Sequence, residues 1–425
     1  MISFNSKEAY YQALEAQGSL PEDFFVATTS LEFFPKEKKS ANAYKMNLSL
    51  FYTKNPTSAF SAMYTRNKFP GAPVIVGREL LRQNQIQGVV INNRISNVCA
   101  PNGVANAKAV ASAVEKAAGF SPNSIIPAST GIIGWQIPKD EMIASVPQLL
   151  ASTQSENGFP LAKAIMTTDS FPKLRSCNIG TGRIVAVAKG AGMIEPNLAT
   201  MLCFVMTDID ISREELDVAL KEAVNASFNR ISIDSDQSTS DSVIMLSSCK
   251  KPLTSYEEFK QGLKQVLFHL ACDIVRNGEG TAHVIRVNVN GFNNDLIALQ
   301  VGKAVANSPL VKTAIYGNDP NVGRLLSSIG DFCGNNNIDI DTGKLILQIG
   351  NEVVYANGEF LLDENKEDRI YNYLKSAQLT LPPCGYPEHD LYVDIKIDCS
   401  GSGKATALGS DLSYDYIKEN AEYRS

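Results

Sequence analysis

Met201-Leu202-Cys203-Phe204-Val205-Met206 is an unbroken apolar run. Side chains of a β-strand alternate between its two faces, so a strand built from this run has no face suited to water. It must lie between two covering layers. The residues before it have the opposite character. Lys189-Gly190-Ala191-Gly192-Met193-Ile194-Glu195-Pro196-Asn197 contains two glycines, a proline and an asparagine, the composition of a turn-rich loop. The loop leads through Leu198-Ala199-Thr200 into the buried run. It divides the 425-residue chain near its middle, with 199 residues before Thr200 and 226 from Thr200 onward.

Strand and helix patterns alternate through the rest of the chain. The first 45 residues read as polar and irregular, with the basic run Lys36 to Lys39 on a solvated loop. Lys45 to Phe51 alternates with period two, and Gly88 to Asn93 reads as a buried strand ending in a polar turn. The alanine-rich stretch Val104 to Ala118 predicts a helix closed by Gly119. Ile125 to Gly131 is a strand-to-loop transition and Lys139 to Leu150 a helix, while Lys163 to Thr168 and Arg183 to Lys189 read as strands. Ser212 to Ser227 and Ser255 to Val275 read as helices, each opened by a serine with a glutamate three residues on. This interleaving gives an α/β (α+β) class, with layered sheets and covering helices.

A net charge of -6 argues against broad nucleic-acid binding, which needs a basic footprint. No window reaches the roughly 18 consecutive apolar residues of a membrane span. Met1 to Glu15 lacks the apolar core of a secretory signal. The eight cysteines are scattered, with no Cys-x-x-Cys pair, as suits a reducing compartment. No membrane partner is therefore expected, and the expected location is cytoplasmic. The three histidines, His269, His283 and His389, lack zinc-ligand spacing, so no metal is expected.

Several segments could carry chemistry. A threonine hydroxyl is a poor nucleophile unless a base stands beside it, and a threonine at a new chain start has its own α-amine for that purpose. An α-amine titrates near 7.7–8.0, so a useful fraction is neutral at physiological pH. Before that, the same hydroxyl can attack the carbonyl of residue 199, and the ester so formed hydrolyses to free the amine. A small Ala199 and a bent loop ahead of it fit this step at Thr200. On these features alone, a threonine at a strand start is ordinary. Ser129-Thr130-Gly131 follows a strand, where a glycine N–H and a threonine hydroxyl can face a developing oxyanion. Asn318 to Arg324 reads as a tight turn after the strand-like Thr313 to Tyr316, with Arg324 opening a helix or meeting a carboxylate. Asp234 to Asp241 fails the EF-hand spacing and reads as a hydrogen-bonded turn network. Cys399 to Thr406 lacks the leading glycine and the closing Ser/Thr of a phosphate loop.

Taken together, these segments resemble the ornithine acetyltransferase family, also called the bifunctional glutamate N-acetyltransferase family. The matching stretches are Pro127 to Gly134, Ala164 to Asp169, Lys189 to Leu202, Ser238 to Asp241, Asn277 to Gly280, Tyr316 to Asn321 and the tail Asp411 to Ser425. The resemblance implies an N-terminal-nucleophile-like fold that cuts itself between Ala199 and Thr200. Its fragments, 1–199 and 200–425, stay together as a heterotetramer of two of each. It implies a ping-pong reaction in arginine biosynthesis: Thr200 takes an acetyl group from N2-acetylornithine and passes it to glutamate, with no cofactor and with acetyl-CoA left open as a further co-substrate. By motif position Thr130 and Gly131 form the oxyanion hole, and Thr167, Lys189, Thr200, Glu279, Asn420 and Ser425 line the amino-acid site. Lys189 suits a substrate carboxylate. Glu279 suits either the δ-ammonium of acetylornithine or proton transfer. Asn92 to Ala100 departs from the family pattern, with bulkier residues and the cation Arg94. Two other readings stand beside this one: a self-cleaving amidase or aminopeptidase of related architecture, and an inactive ornithine-binding relative.

Overall fold

The structure, a computed structural model, describes residue 4 and residues 6–39, 42–195, 201–379 and 391–422. The apolar run lies in the strand Leu202–Asp210, buried from Leu202 through Ile209. This strand is the centre of a five-stranded sheet in the order Phe60–Tyr64, Ser242–Pro252, Leu202–Asp210, Gly182–Lys189, Lys173–Ile179. Its two faces go to different cores. Leu202, Phe204 and Met206 face a second sheet, whereas Cys203, Val205 and Ile209 pack with the helices Arg213–Ala226 and Tyr256–Arg276. Each large apolar side chain so buried contributes roughly 1.5–3 kcal/mol relative to exposure.

The second sheet has the order Phe24–Phe33, Tyr44–Thr57, Ile86–Asn92, Ile125–Ser129. Its Phe51 meets Phe204 across the sheet interface, ring centroids 5.4 Å apart. On its far side Leu48, Leu50 and Val90 pack with Val110, Ala111 and Val114 of the helix Gly103–Ala118. The succession is helix, sheet, sheet, helices. A third sheet, of seven strands, carries much of the C-terminal half, with Val284–Phe292 between Val393–Gly401 and Lys404–Ser410. The class is α/β, with layered sheets covered by helices.

The central sheet takes strands from both sides of position 200. Gly182–Lys189 runs antiparallel to Leu202–Asp210, with Lys189 opposite Leu202. Ser242–Pro252 runs parallel to it on the other side. The pairing of Lys189 with Leu202 puts Gly190 to Glu195, the described part of the turn-rich loop, just beyond the end of Gly182–Lys189.

Some local expectations are corrected. The first 45 residues are not irregular: Ser6 caps a helix, Lys7–Gln17, that buries Tyr10 and Leu14 at helical spacing, and Phe24–Phe33 is a ten-residue strand. The expected helix Lys139 to Leu150 is two, Lys139–Ala144 and Val146–Ala151, because Pro147 cannot donate a backbone hydrogen bond back into the first. Lys163 to Thr168 is not a strand. Phe159–Ala164 is a short helix with Leu161 and Ala164 buried on one face, and Thr167 and Thr168 follow in a loop. Thr313 to Tyr316 is likewise helical, ending Pro309–Tyr316, which Ser308 caps and Pro309 starts. Both serine-capped helices form as expected, the full capping box at Ser212. The glycine-rich Cys399 to Thr406 ends the strand Val393–Gly401 and begins Lys404–Ser410, which lie on opposite sides of Val284–Phe292.

Candidate active site

The strand Ile125–Ser129 ends on two residues with opposite requirements. Ser129 Oγ donates to Asn92 Oδ1 at 2.6 Å, and Asn92 Nδ2 donates to the Ile95 carbonyl at 2.8 Å. Thr130 N–H donates to Asn92 O and Ile132 N–H to Arg94 O, which fixes the loop between them. Gly131 sits at φ +123, and a Cβ there would lie 2.1 Å from the carbonyl carbon of Arg94. Only glycine fits. Its N–H has no acceptor among the described residues.

The neighbouring strand Gly182–Lys189 delivers Lys189. Its Nζ donates to Thr130 Oγ1 at 3.0 Å and to Thr167 Oγ1 at 3.1 Å. A hydroxyl that accepts from an ammonium has its own proton free and more acidic, so Thr130 can donate toward an incoming oxygen. Thr130, Gly131, Thr167 and Lys189 share a pocket of about 260 Å³ with Gly192, Glu279 and Asn420. That volume suits a ligand of amino-acid size.

Glu279 follows the long helix Tyr256–Arg276 and is buried. Its N–H donates to Ala191 O at 2.9 Å, and its carboxylate accepts from Asn420 Nδ2 at 2.8 Å. Gly192 explains the close approach of chain and carboxylate: a Cβ there would stand 2.3 Å from Glu279 Oε2. The loop continues onto Asp234, whose carboxylate accepts the N–H of Met193 at 2.6 Å and of Ile194 at 2.7 Å. This is the turn network expected of the acidic segment. Among the described residues no group of His, Cys, Asp or Glu could hold a metal ion.

Under Lys189 lies a buried ion pair. Asp169 accepts from Lys173 Nζ at 2.5 Å, from Gly190 N–H at 2.8 Å and from Thr167 N–H at 3.0 Å. Lys173 Nζ also donates to Asn277 Oδ1 at 2.6 Å. Burial pushes the Asp169 carboxyl up, but Lys173, Lys189 and the Gly190 N–H outweigh it and hold it down at about 2. The pair therefore fixes both partners of the Lys189–Thr167 contact, Thr167 directly and Lys189 through its neighbour Gly190.

Ser96, Ser238, Thr239 and Ser240 also line the pocket. Thr239 Oγ1 and Ser240 Oγ are buried with no hydrogen-bond partner among the described residues. A smaller recess of about 20 Å³ joins Thr130, Lys189, Ser238, Ser240 and Asp241 to Met201.

Of the residues singled out from the sequence, Thr130, Gly131, Thr167, Lys189, Glu279 and Asn420 come together around the one pocket. Ala199, Thr200 and Ser425 lie outside the described residues. Arg324 stands elsewhere, donating to the Leu310 carbonyl at 2.9 Å. Arg94 is exposed with its guanidinium over the Tyr44 ring, and from its divergent segment Ser96 lines the pocket. Asp169, Lys173 and Asn277 were not singled out. The i, i+4 spacing of Asp169 and Lys173 is the one feature of this pair visible in the sequence; that both side chains lack exposed surface is seen only in the structure.

A hydroxyl and a glycine N–H suited to an oxyanion, beside a lysine and a buried carboxylate in a layered α/β frame, define an enzyme of the acyl-transfer class. A sequence model of the ArgJ family matches residues 36–425, and the chain belongs to that family. It is 36% identical over 380 residues to arginine biosynthesis bifunctional protein ArgJ 2 of Clostridium acetobutylicum, covering 89% of this chain and 93% of that protein. Among solved structures it is similar to the arginine biosynthesis bifunctional protein argJ of Bacillus halodurans, 35% identical with a TM-score of 0.46, over 53% of this chain and 100% of that one. It is also similar to ornithine acetyltransferase of Mycobacterium tuberculosis, solved with ornithine. That chain is 27% identical with a TM-score of 0.34, over 43% of this chain and 97% of that one.

Proposed function

We propose that the chain is a glutamate N-acetyltransferase of arginine biosynthesis that moves the acetyl group of N2-acetylornithine to glutamate through an acetyl ester on Thr200. In this reading the bond between Ala199 and Thr200 is cut by the Thr200 hydroxyl itself, and the freed α-amine then serves as base. Thr200 Oγ attacks the acetyl carbonyl while its proton passes to the amine. The oxyanion is met by Thr130 Oγ1–H and Gly131 N–H, and ornithine leaves. Glutamate enters the same pocket and takes the acetyl group by the reverse steps. Acetyl-CoA is a further donor by the same route.

One observation carries the reading. Lys189 stands within hydrogen-bond distance of both Thr130 and Thr167, in a pocket that the hydrogen-bonded Glu279–Asn420 pair also lines. A cation beside the oxyanion donors suits a substrate α-carboxylate, and the carboxylate suits an ammonium. Glutamate lacks that ammonium, so for the acceptor half-reaction Glu279 is better matched to proton transfer. The shared central sheet supports fragments 1–199 and 200–425 that stay bound after cutting, since each contributes strands to it. We assign the assembly two copies of each fragment. No helix among the described residues is long and apolar enough to cross a membrane, and we place the enzyme in the cytoplasm.

Mass spectrometry after incubation with N2-acetylornithine tests the whole chain of steps. The expected result is two fragments, of 199 and 226 residues, the second carrying one acetyl group at its first residue. An intact chain with full turnover refutes the mechanism. Transfer to water rather than glutamate would instead make the protein an amidase.

A further inference from the structure

Met193 combines two features that each need a cause. Its backbone is left-handed, with φ +56. Residues with a Cβ disfavour that conformation, and it persists only where the surroundings impose it. Here they do. The Asp234 carboxylate accepts from the N–H groups of Met193 and Ile194, Ile194 O accepts from Ile233 N–H at 2.7 Å, and Glu195 N–H donates to Asp236 O at 3.0 Å. The second feature is exposure. Met193 is 42% exposed, while Ala191 and Ile194 on either side are buried. A glycine would take this turn without strain. Met193 lines both the main pocket and the smaller recess.

The pocket is otherwise polar. Among the described residues that line it, Ile132, Ile133 and Met193 alone have large apolar side chains. Ile132 is buried and has little surface to offer a ligand. Ile133 is half-buried and comes two residues after Gly131, beside the oxyanion donors. Met193 instead follows Gly192, which lies against the Glu279 carboxylate. It therefore stands on the side assigned to the distal group of the amino acid.

The proposed reaction brings two amino acids to this pocket, and their distal groups have opposite charges. Charge at Glu279 cannot favour both. Besides their α-groups, ornithine and glutamate share an unbranched methylene chain, of three carbons in one and two in the other. Apolar contact recognises such a chain, and the flexible, polarizable thioether of methionine packs against either length. We propose that Met193 is a specificity-determining residue that covers the side-chain methylenes of the bound amino acid, held in place by the Asp234 turn. This rests on the reading of the pocket as an amino-acid site, and on no step at position 200.

Displacement of labelled ornithine from the whole protein tests this with no acyl donor present. The displacing ligands are L-alanine, L-2-aminobutyrate and L-norvaline, which share their α-groups and differ by one methylene each. In the parent each added methylene should tighten binding roughly fourfold, the equivalent of about 0.8 kcal/mol per buried CH₂. Met193→Ala should reduce that factor to less than about twofold and weaken alanine itself by less than about twofold. Met193→Leu retains apolar surface and should keep the dependence on length. An unchanged dependence in Met193→Ala, equal weakening of all three ligands, or a flat series in Met193→Leu overturns the proposal. A parent that binds no ornithine overturns the amino-acid pocket itself, whereas a parent that binds ornithine but shows a flat series overturns the role of Met193 alone. Should Met193→Ala fail to fold, Met193→Gln replaces it, since glutamine is also unbranched but ends in a polar amide. The same loss of length dependence is expected, and a series like the parent's overturns the proposal.

Discussion

Asp169→Asn removes one charge from the buried pair beneath Lys189. Asp169 uses both oxygens, Oδ1 for Lys173 and Gly190 N–H, Oδ2 for Thr167 N–H. Asparagine has one oxygen and one NH₂. If its oxygen takes the Oδ1 place, the NH₂ faces the Thr167 N–H, donor against donor. If it turns over, the NH₂ faces an ammonium and a second N–H. Lys173, with no exposed surface, keeps Asn277 Oδ1 but loses its counter-ion. Leaving one member of a buried pair uncompensated costs about 3–5 kcal/mol. The pH dependence separates the charge from the packing. The carboxyl falls from 3.8 to about 2 on folding. The unfolded chain therefore binds more protons between those values, and the carboxylate's stabilisation, about 2 kcal/mol, is complete above about pH 5 and is lost as pH falls toward 2. Urea unfolding at pH 7 and again across pH 5 to 2.5 measures both effects. Asp169→Asn should unfold several kcal/mol more easily at pH 7 and show a flatter acid limb than the parent. The double variant Asp169→Asn/Lys173→Met should regain part of the loss, because the stranded charge is gone. A single variant within about 1 kcal/mol of the parent at pH 7, or with the parent's acid limb unchanged, refutes the argument.

Three further outcomes follow from the same geometry. Thr130→Ala deletes one oxyanion donor and should lower kcat roughly 10²–10³-fold with little change in KM; steady-state kinetics showing an altered KM and an intact kcat would contradict this. Gly192→Ala puts a methyl 2.3 Å from the Glu279 carboxylate, so ornithine should bind more weakly by calorimetry, and unchanged affinity would show that the loop yields freely. Lys312, buried with its Nζ donating to the carbonyls of Ile233 and Ser410, is held down at about 8 from 10.5 by that burial, despite Asp411, Asp234 and Glu195 nearby. The unfolded chain then carries the extra proton between those values, so stability should rise by roughly 3 kcal/mol from pH 8 to 10.5 relative to Lys312→Met; parallel curves for the two proteins in that range would refute it.

What could be read in the sequence depended on how local the physics was. The double-faced run from Leu202, the capping box at Ser212 and the terminal Gly119 at φ +72 are each decided by a few neighbouring residues, and all three hold. Thr130 and Gly131 were singled out because they sit where a strand meets a loop, and Lys189 through the family resemblance; the structure brings all three to one pocket. Two of the corrected segments failed for one reason. Lys163 to Thr168 and Thr313 to Tyr316 are short apolar stretches in which strand and helix patterns coincide, and the deciding residues, Pro160 and Pro309, lie upstream of the windows read. The Asp169–Lys173–Asn277 cluster depends on a contact between residues 104 positions apart, which no local pattern can register.

That long contact also constrains how the site can work. Asn277 and Glu279 are two residues apart at the end of one helix. The first is tied to Lys173, and through it to Asp169, Thr167 and Gly190; the second to Asn420 and Ala191. Lys189 and Glu279, the cation and the carboxylate that line the pocket, are thus tied to the same helix terminus rather than to two independent elements. A rigid spacing between the two charges discriminates substrates by length, because a ligand whose carboxylate and distal group do not match it must leave one buried charge unpaired. Shortening the amino-acid side chain by one methylene should therefore lower kcat/KM even though every chemical group needed for acyl transfer is still present. Comparing N2-acetylornithine with its homologue one carbon shorter measures this. Equal kcat/KM for the two would mean that the helix terminus does not set the distance, and that the pocket adapts around its ligand.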